Sequence, residues 1–294
     1  MVSRARDGFI PGSMTVVYYV SPDGVVLHLS GGVHGGEGGF RLGSGPEGLG
    51  HVDVEAIFDP SARGIGEHYL GATFAHGKID LPIHVYGSTP DEARRRREWL
   101  RSLIQRDRMG WLCGYTSASG WRWLPVRRGS IKPAYTRDPA GTNGTTFDVL
   151  FIADNPFARA ADGDAPEWLN RAGAGAVSGS LSLYAGPEVE SWPIFVFTGP
   201  GQLRLVYADN DVTLPAVLAG ECVQIDTTNG AQTLRARKIG DTGRGRNLWP
   251  LMKGQQFVGP IPPAEVTRVS FTVRGASSAT RLWATTPRWQ EGVL

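Results

Sequence analysis

Short apolar-rich runs, several of them alternating with polar residues at a period of two, recur along this chain with glycine- or proline-containing breaks between them. Thr15–Val20 and Val25–Leu29 predict two strands. Between them stands Ser21-Pro22-Asp23-Gly24, a turn in which Pro presets φ and Gly accepts a positive φ. His51–Phe58 and Ile79–Tyr86 alternate in the same way. The glycine-rich stretch Gly31–Gly50 does not, and is expected to be a loop that can order on assembly. A helical period appears at Ala93, Arg96, Leu100, Leu103 and Ile104. It is preceded by Thr89 as cap, Pro90 at the first helical position and Glu92 three residues after the cap, so a helix is expected from Pro90 to about Asp107. Strands resume at Trp111–Tyr115, Arg122–Arg128, Gly129–Thr136 and Thr145–Ala153, and Asp154-Asn155-Pro156-Phe157 closes the block.

Residues 158–179 are rich in Ala, Gly and Asp and read as a linker. The expected organisation is therefore an N-terminal domain over 1–157, a linker over 158–179 and a C-terminal domain over 180–294. The second block predicts strands at Ile194–Thr198, Leu203–Tyr207, Asp211–Leu214, Cys222–Asp226, Ala231–Lys238, Phe257–Gly259, Val266–Val273 and Thr280–Thr285. Many short strands with turns between them point to a β-sandwich. The fold class expected is mainly β, with one flanking α-helix.

Composition narrows the function. A length of 294 residues suits two domains, and 40 Gly with 20 Pro suit a turn-rich protein. A net charge of +2 does not mark a nucleic-acid binder. The 2 cysteines, Cys113 and Cys222, are too few for a disulfide framework and too far apart for a zinc motif, and are expected to be buried thiols. The N-terminal MVSRARDGFIPGSM lacks the apolar core of a signal peptide, and no apolar run reaches the length of a membrane helix. Synthesis in the cytoplasm is the expectation.

Gly43-Ser44-Gly45-Pro46-Glu47-Gly48 fits GxGxxG formally, but Pro46 lies within it and no periodic helix follows, so a surface loop is expected. The 6 His, all between His28 and His84, form no HxxxH or HExxH pattern, and no metal site is assigned. Asp59, Glu67 and Asp80 are candidates for a glycosidase-like carboxylate pair, with nothing to select them over solvated turn residues. No nucleophile elbow or P-loop is present. No catalytic residue and no cofactor is assigned. Arg94–Arg97 is either a basic face for phosphate or an acidic partner, or a solvated helix surface with Glu92, Glu98 and Asp107 as counter-charge. The tryptophans, Trp249 and Trp283 among them, are read as packing residues, with stacking on sugar rings as the functional alternative.

An ordered series of marks runs through the second block. Gly186-Pro187-Glu188-Val189-Glu190-Ser191-Trp192-Pro193-Ile194 opens it, and Gly199-Pro200 and Asp211-Val212-Thr213-Leu214 follow. Then come Gly220-Glu221-Cys222-Val223-Gln224-Ile225-Asp226-Thr227 and Asn247-Leu248-Trp249-Pro250-Leu251, with Lys253-Gly254. This order resembles the C-terminal half of the distal tail (Dit-like), or minor tail, family of long-tailed (siphovirus) bacteriophages. Ile79–Val85, the helix, Gly120–Arg127 and Phe151–Phe157 resemble the family's N-terminal half more loosely. In the Ile225-Asp226-Thr227 strand, Ile225 is expected to point inward while Asp226 and Thr227 bond the adjoining turn. The resemblance implies an N-terminal β-sandwich or split barrel that forms a six-copy ring, and a C-terminal galectin-like β-sandwich. It implies a structural role at the tail tip of the virion. The ring would join the major tail tube protein and the tape measure protein to tail-tip hub or fibre proteins, with DNA passing only through the lumen and no membrane partner. The alternative is a carbohydrate-binding host-adsorption module.

Overall fold

A computed structural model describes residues 15–60, 66–135, 138 and 141–294. The N-terminal segment considered for a signal, and the predicted strand end at Thr136, lie outside these residues. The described chain is mainly β and divides into two compact units. One runs to Ala160 and takes back Gln290–Leu294; the other is Ala161–Trp289.

The first unit contains β1 (Val16–Val20), β2 (Val26–Ser30), β3 (Phe40–Leu42), β4 (Val54–Pro60), β5 (Glu67–Phe74), β6 (Gly77–Tyr86), α1 (Pro90–Leu103), β7 (Gly110–Thr116), β8 (Gly120–Ala134), β9 (Gly144–Ala153) and β10 (Ala158–Ala160). Its main sheet has the order β2-β1-β7-β8-β9-β6-β3, with β10 also on β8. Strand β8 makes the corner. Its first half pairs with β7 and its second half with β9, and the register shifts between Arg128 and Ser130. The two strands expected at Arg122–Arg128 and Gly129–Thr136 are thus one bent strand, with Gly129 at the bulge. The sheet ends approach each other, because the Gly36 N–H, just before β3, donates to the His28 carbonyl of β2 at 3.0 Å. The result is a near-barrel whose interior holds Tyr19, Leu29, Phe40, Ile83, Phe147 and Phe151.

Alternation explains this interior. Ile79, Leu81, Ile83 and Val85 of β6 are buried while Lys78, Asp80 and His84 are not. Gly31–Gly50 departs from the expected loop: it holds a 3-10 turn at Glu37–Gly39, strand β3, and a bridge from Glu47 to Asp80. The formal GxGxxG lies on this sheet edge, where the Gly43 N–H donates to Pro82 O at 2.6 Å.

Helix α1 covers the near-barrel with Ala93, Leu100 and Leu103. Thr89 Oγ1 accepts from the Glu92 N–H at 3.2 Å, and Glu92 Oε2 accepts from the Ser88 N–H at 2.7 Å. The helix ends at Leu103, earlier than the predicted Asp107, because Ile104 is extended and fully buried. Beyond it, Gln105 O accepts from the Arg128 N–H. Thr89→Ala is expected to cost about 1 kcal/mol, read as a shift in the urea midpoint, because the Glu92 N–H loses its acceptor.

The second unit contains β11 (Glu167–Leu169), β12 (Gly175–Tyr184), β13 (Ile194–Thr198), β14 (Gln202–Tyr207), β15 (Asn210–Thr213), β16 (Glu221–Asp226), β17 (Thr233–Lys238), β18 (Arg246–Asn247), β19 (Val266–Ala276) and β20 (Arg281–Thr285). They form two sheets, β11-β20-β13-β16-β17-β18 and β12-β19-β14-β15. Residues from both sheets make one core, including Phe195, Phe197, Leu205, Ile225 and Phe271. Three expectations need correction here. The stretch 158–179, expected as a linker, carries β10, β11 and the start of β12. Residues 290–294, expected in the C-terminal domain, belong to the first unit, where the Val293 N–H donates to Leu49 O at 2.8 Å. Phe257–Gly259 is not a strand but a segment tied to β15 by Asn210.

The Ile225-Asp226-Thr227 mark is structural. Ile225 is fully buried, and Asp226 Oδ1 accepts from the Thr228 N–H at 3.0 Å. Thr227 reaches further than its own turn: its hydroxyl donates to Pro193 O at 2.7 Å.

Candidate functional site: the hairpin arm

Among the described residues, strands β4 and β5 pair only with each other, in a separate two-stranded antiparallel sheet. Seven residues of β4 extend roughly 23 Å. Phe58 and Tyr69 face each other with ring centroids 5.8 Å apart, and Phe74 at the base meets Phe157 at 5.0 Å. The arm exposes several apolar side chains that the described residues do not cover. Tyr69 is 58% exposed and Leu70 62%, and Val54, Ile57, Phe58 and Phe74 are exposed too. Tyr69 and Leu70 are consecutive strand residues, so they stand on opposite faces, and neither face is covered. No arm residue belongs to either hydrophobic core. An isolated two-stranded sheet is marginal in water, and large exposed apolar patches mark interaction surfaces. Its chemistry is that of a protein interface: aromatic and aliphatic anchors beside backbone edges able to pair with another strand.

Only half of this feature is legible in the sequence: His51–Phe58 predicts β4, and nothing predicts β5. Glu67-His68-Tyr69-Leu70-Gly71-Ala72-Thr73-Phe74 has β-prone aromatics but does not alternate, because both of its faces are exposed.

The other candidates are dispersed. Asp59 and Glu67 lie on the arm, paired in register with His68 and Pro60, while Asp80 lies on β6 and bridges to Glu47. Among the described residues no group of three or more His, Cys, Asp or Glu is placed to hold a metal ion. His28 and His34 have ring centroids 5.1 Å apart, and burial with the neighbouring His34 lowers the His28 pKa. Cys113 is buried, which pushes its thiol up to about 11; Cys222 is only partly buried, against the expectation of two buried thiols.

The arginine run splits by role. Arg94 pairs with Asp91 at 2.8 Å and Arg96 with Glu92 at 2.6 Å. Arg97 is buried, its guanidinium donating to Ala93 O and Thr145 Oγ1, both at 3.2 Å. Arg97 thus ties α1 to β9 and is no part of a basic surface. The tryptophans divide too. Trp168, Trp192 and Trp249 are partly buried against the second core, and Trp283 is half-buried on β20. Trp99, Trp111 and Trp121 are more exposed, with Trp121 against Tyr18 and Tyr115 and Trp99 against Phe40.

No family model matches the sequence, and no curated protein does. Solved structures do. The chain is similar in fold to the Dit protein of phage SPP1, described as a paradigm of the hub adsorption apparatus in phages infecting Gram-positive bacteria. The TM-score is 0.62 at 12% identity, over 93% of this chain and 99% of that one. A chain of the phage P2 baseplate, in its activated conformation with Ca, matches at a TM-score of 0.48 and 12% identity, over 93% of this chain and 98% of that one. The first likeness establishes a shared fold across nearly the whole length.

Proposed function

We propose that this chain is a structural protein of a bacteriophage tail tip, assembling through its first unit into a ring of six copies. The lumen of that ring continues the tail tube and leaves a channel for DNA. The major tail tube protein and the tape measure protein lie on one side, and tail-tip hub or fibre proteins on the other. The chain belongs in the virion, is made in the host cytoplasm, and acts by assembly and not by catalysis.

The observation that carries this reading is the arm. It holds aromatic and aliphatic side chains at 43–62% exposure (Ile57 at the low end and Leu70 at the high end) on a hairpin that the described residues do not cover. Burying the exposed half of each such side chain is worth about 1 kcal/mol, so a second copy seated on the arm relieves an exposure the single chain retains. The fold shared with the SPP1 hub protein and the ordered sequence marks of the second unit support the same reading.

Sedimentation velocity on the purified full chain, alone and mixed with the tail tube protein of the same phage, tests the ring. The expected species has six times the 31.7 kDa chain mass. A monomer in both mixtures at high concentration contradicts the ring.

A further inference from the structure

The four-stranded sheet of the second unit turns Leu203, Leu205, Val212, Phe271 and Val273 into the core. By alternation its other face carries the polar residues between them. On that face lies a cleft of about 370 Å³, lined by Gln202, Arg204, Thr213, Gln255, Thr272 and Arg274, together with Asp211. No aromatic or aliphatic side chain lines it.

Its hydrogen-bonding groups are unbalanced towards donors. Asp211 is the one carboxylate of the lining, and both its oxygens are engaged by Arg204, through Nε at 2.6 Å and Nη2 at 2.5 Å. This fork fixes the guanidinium and leaves Nη1 outside it. Gln255 Oε1 accepts the Thr213 N–H at 2.8 Å, which leaves the carboxamide NH2 as a donor. Thr272 is held by Ser178, hydroxyl to hydroxyl at 3.1 Å. Arg274 stands opposite Gln202 in the β14–β19 register and forms no ion pair among the described residues. The cleft therefore offers two guanidinium groups, two carboxamides and hydroxyls, with its single anion already matched.

We propose that this cleft binds an acidic saccharide, whose ring hydroxyls meet Gln202, Gln255 and Thr272 and whose carboxylate or phosphate meets Arg204 and Arg274. Carboxamides and hydroxyls both donate and accept, as sugar hydroxyls do, and guanidinium is the side chain suited to planar or tetrahedral oxyanions. The size suits one or two sugar rings. A peptide needs apolar pockets for its anchors, and a single-stranded nucleic acid needs aromatic platforms; the lining has neither. The proposal does not depend on the tail-tip reading, since it concerns the second unit alone.

Isothermal titration of the full chain tests it, with three probes: a hyaluronan tetrasaccharide carrying carboxylates, glucose 1-phosphate, and neutral chitotetraose. One or both acidic probes are expected to bind, at least about tenfold more tightly than the neutral one. Which acidic probe binds identifies the acid group. Arg274→Gln is expected to weaken that binding at least about tenfold. Arg268→Gln removes an exposed charge from the same strand outside the cleft, and is expected to leave binding within about twofold. Absence of binding by both acidic probes at millimolar concentration overturns the proposal. So does equal binding of chitotetraose, or an equal loss in the Arg274 and Arg268 variants.

Discussion

Excising the arm, with residues 55–73 replaced by an Asn-Gly turn, is expected to turn the proposed ring into monomers while both compact units stay folded. Val54 and Phe74 face each other in register, so a two-residue turn can join them. The excision removes Ile57, Phe58, Tyr69 and Leu70, all exposed and none in either core. About half of each side chain remains to be buried, so their burial against a second copy contributes about 3–6 kcal/mol gross, of the same order as the lower end of the cost of association. Removing it is expected to weaken assembly about a thousandfold, a loss visible in sedimentation velocity at micromolar protein. A milder test places charge on the arm, with Leu70→Asp and Phe58→Ser together. It is expected to weaken assembly about a hundredfold, because an apolar contact becomes a buried charge without a partner. Far-ultraviolet circular dichroism is expected to change only by the missing strands. A ring that survives excision would put the subunit contact elsewhere.

Asn210→Leu is expected to destabilise the second unit by about 3–5 kcal/mol, although the two side chains have similar size. Asn210 is 2% exposed. Its carboxamide oxygen accepts from the Val258 N–H at 2.7 Å and the Gly259 N–H at 3.3 Å. Its NH2 donates to Gly259 O at 2.8 Å and Tyr207 O at 3.2 Å. One side chain thus satisfies four backbone groups and ties the 257–259 segment to the β14–β15 turn. Leucine satisfies none of them, and each buried group left without a partner costs about 1–3 kcal/mol. Local relaxation towards water lowers the sum. The loss is still a large part of the 5–15 kcal/mol typical of a domain. Urea unfolding followed by tryptophan fluorescence measures it, and a loss below about 1 kcal/mol would contradict the role given to Asn210.

Elements packed on one face were legible in the sequence, because period-two alternation is the direct imprint of one buried face. Ile79–Tyr86 is an example, found within two residues of its observed ends. The helix start was legible too, since Thr89, Pro90 and Glu92 act locally. Its end was not, because a buried, extended Ile104 is a decision of tertiary packing. Strand β12 alternates at Ser178, Ser180 and Ser182, yet its small residues resembled a linker. Asn210 stands in Tyr207-Ala208-Asp209-Asn210 between two strands, and no local signal marks its burial. Half of the arm is illegible for the opposite reason: β5 has no face buried by the described residues, so it has no period to read. The cleft could not be seen in advance either, since its arginines and glutamines come from β14, β19 and the segment after Met252 and meet only in the folded sheet.

The most direct test of the tail-tip claim is immunogold electron microscopy of purified virions with an antibody against this chain. Gold is expected at the end of the tail distal to the capsid. Gold on the capsid or along the tube, or its absence from virions whose tails are intact, would contradict the account.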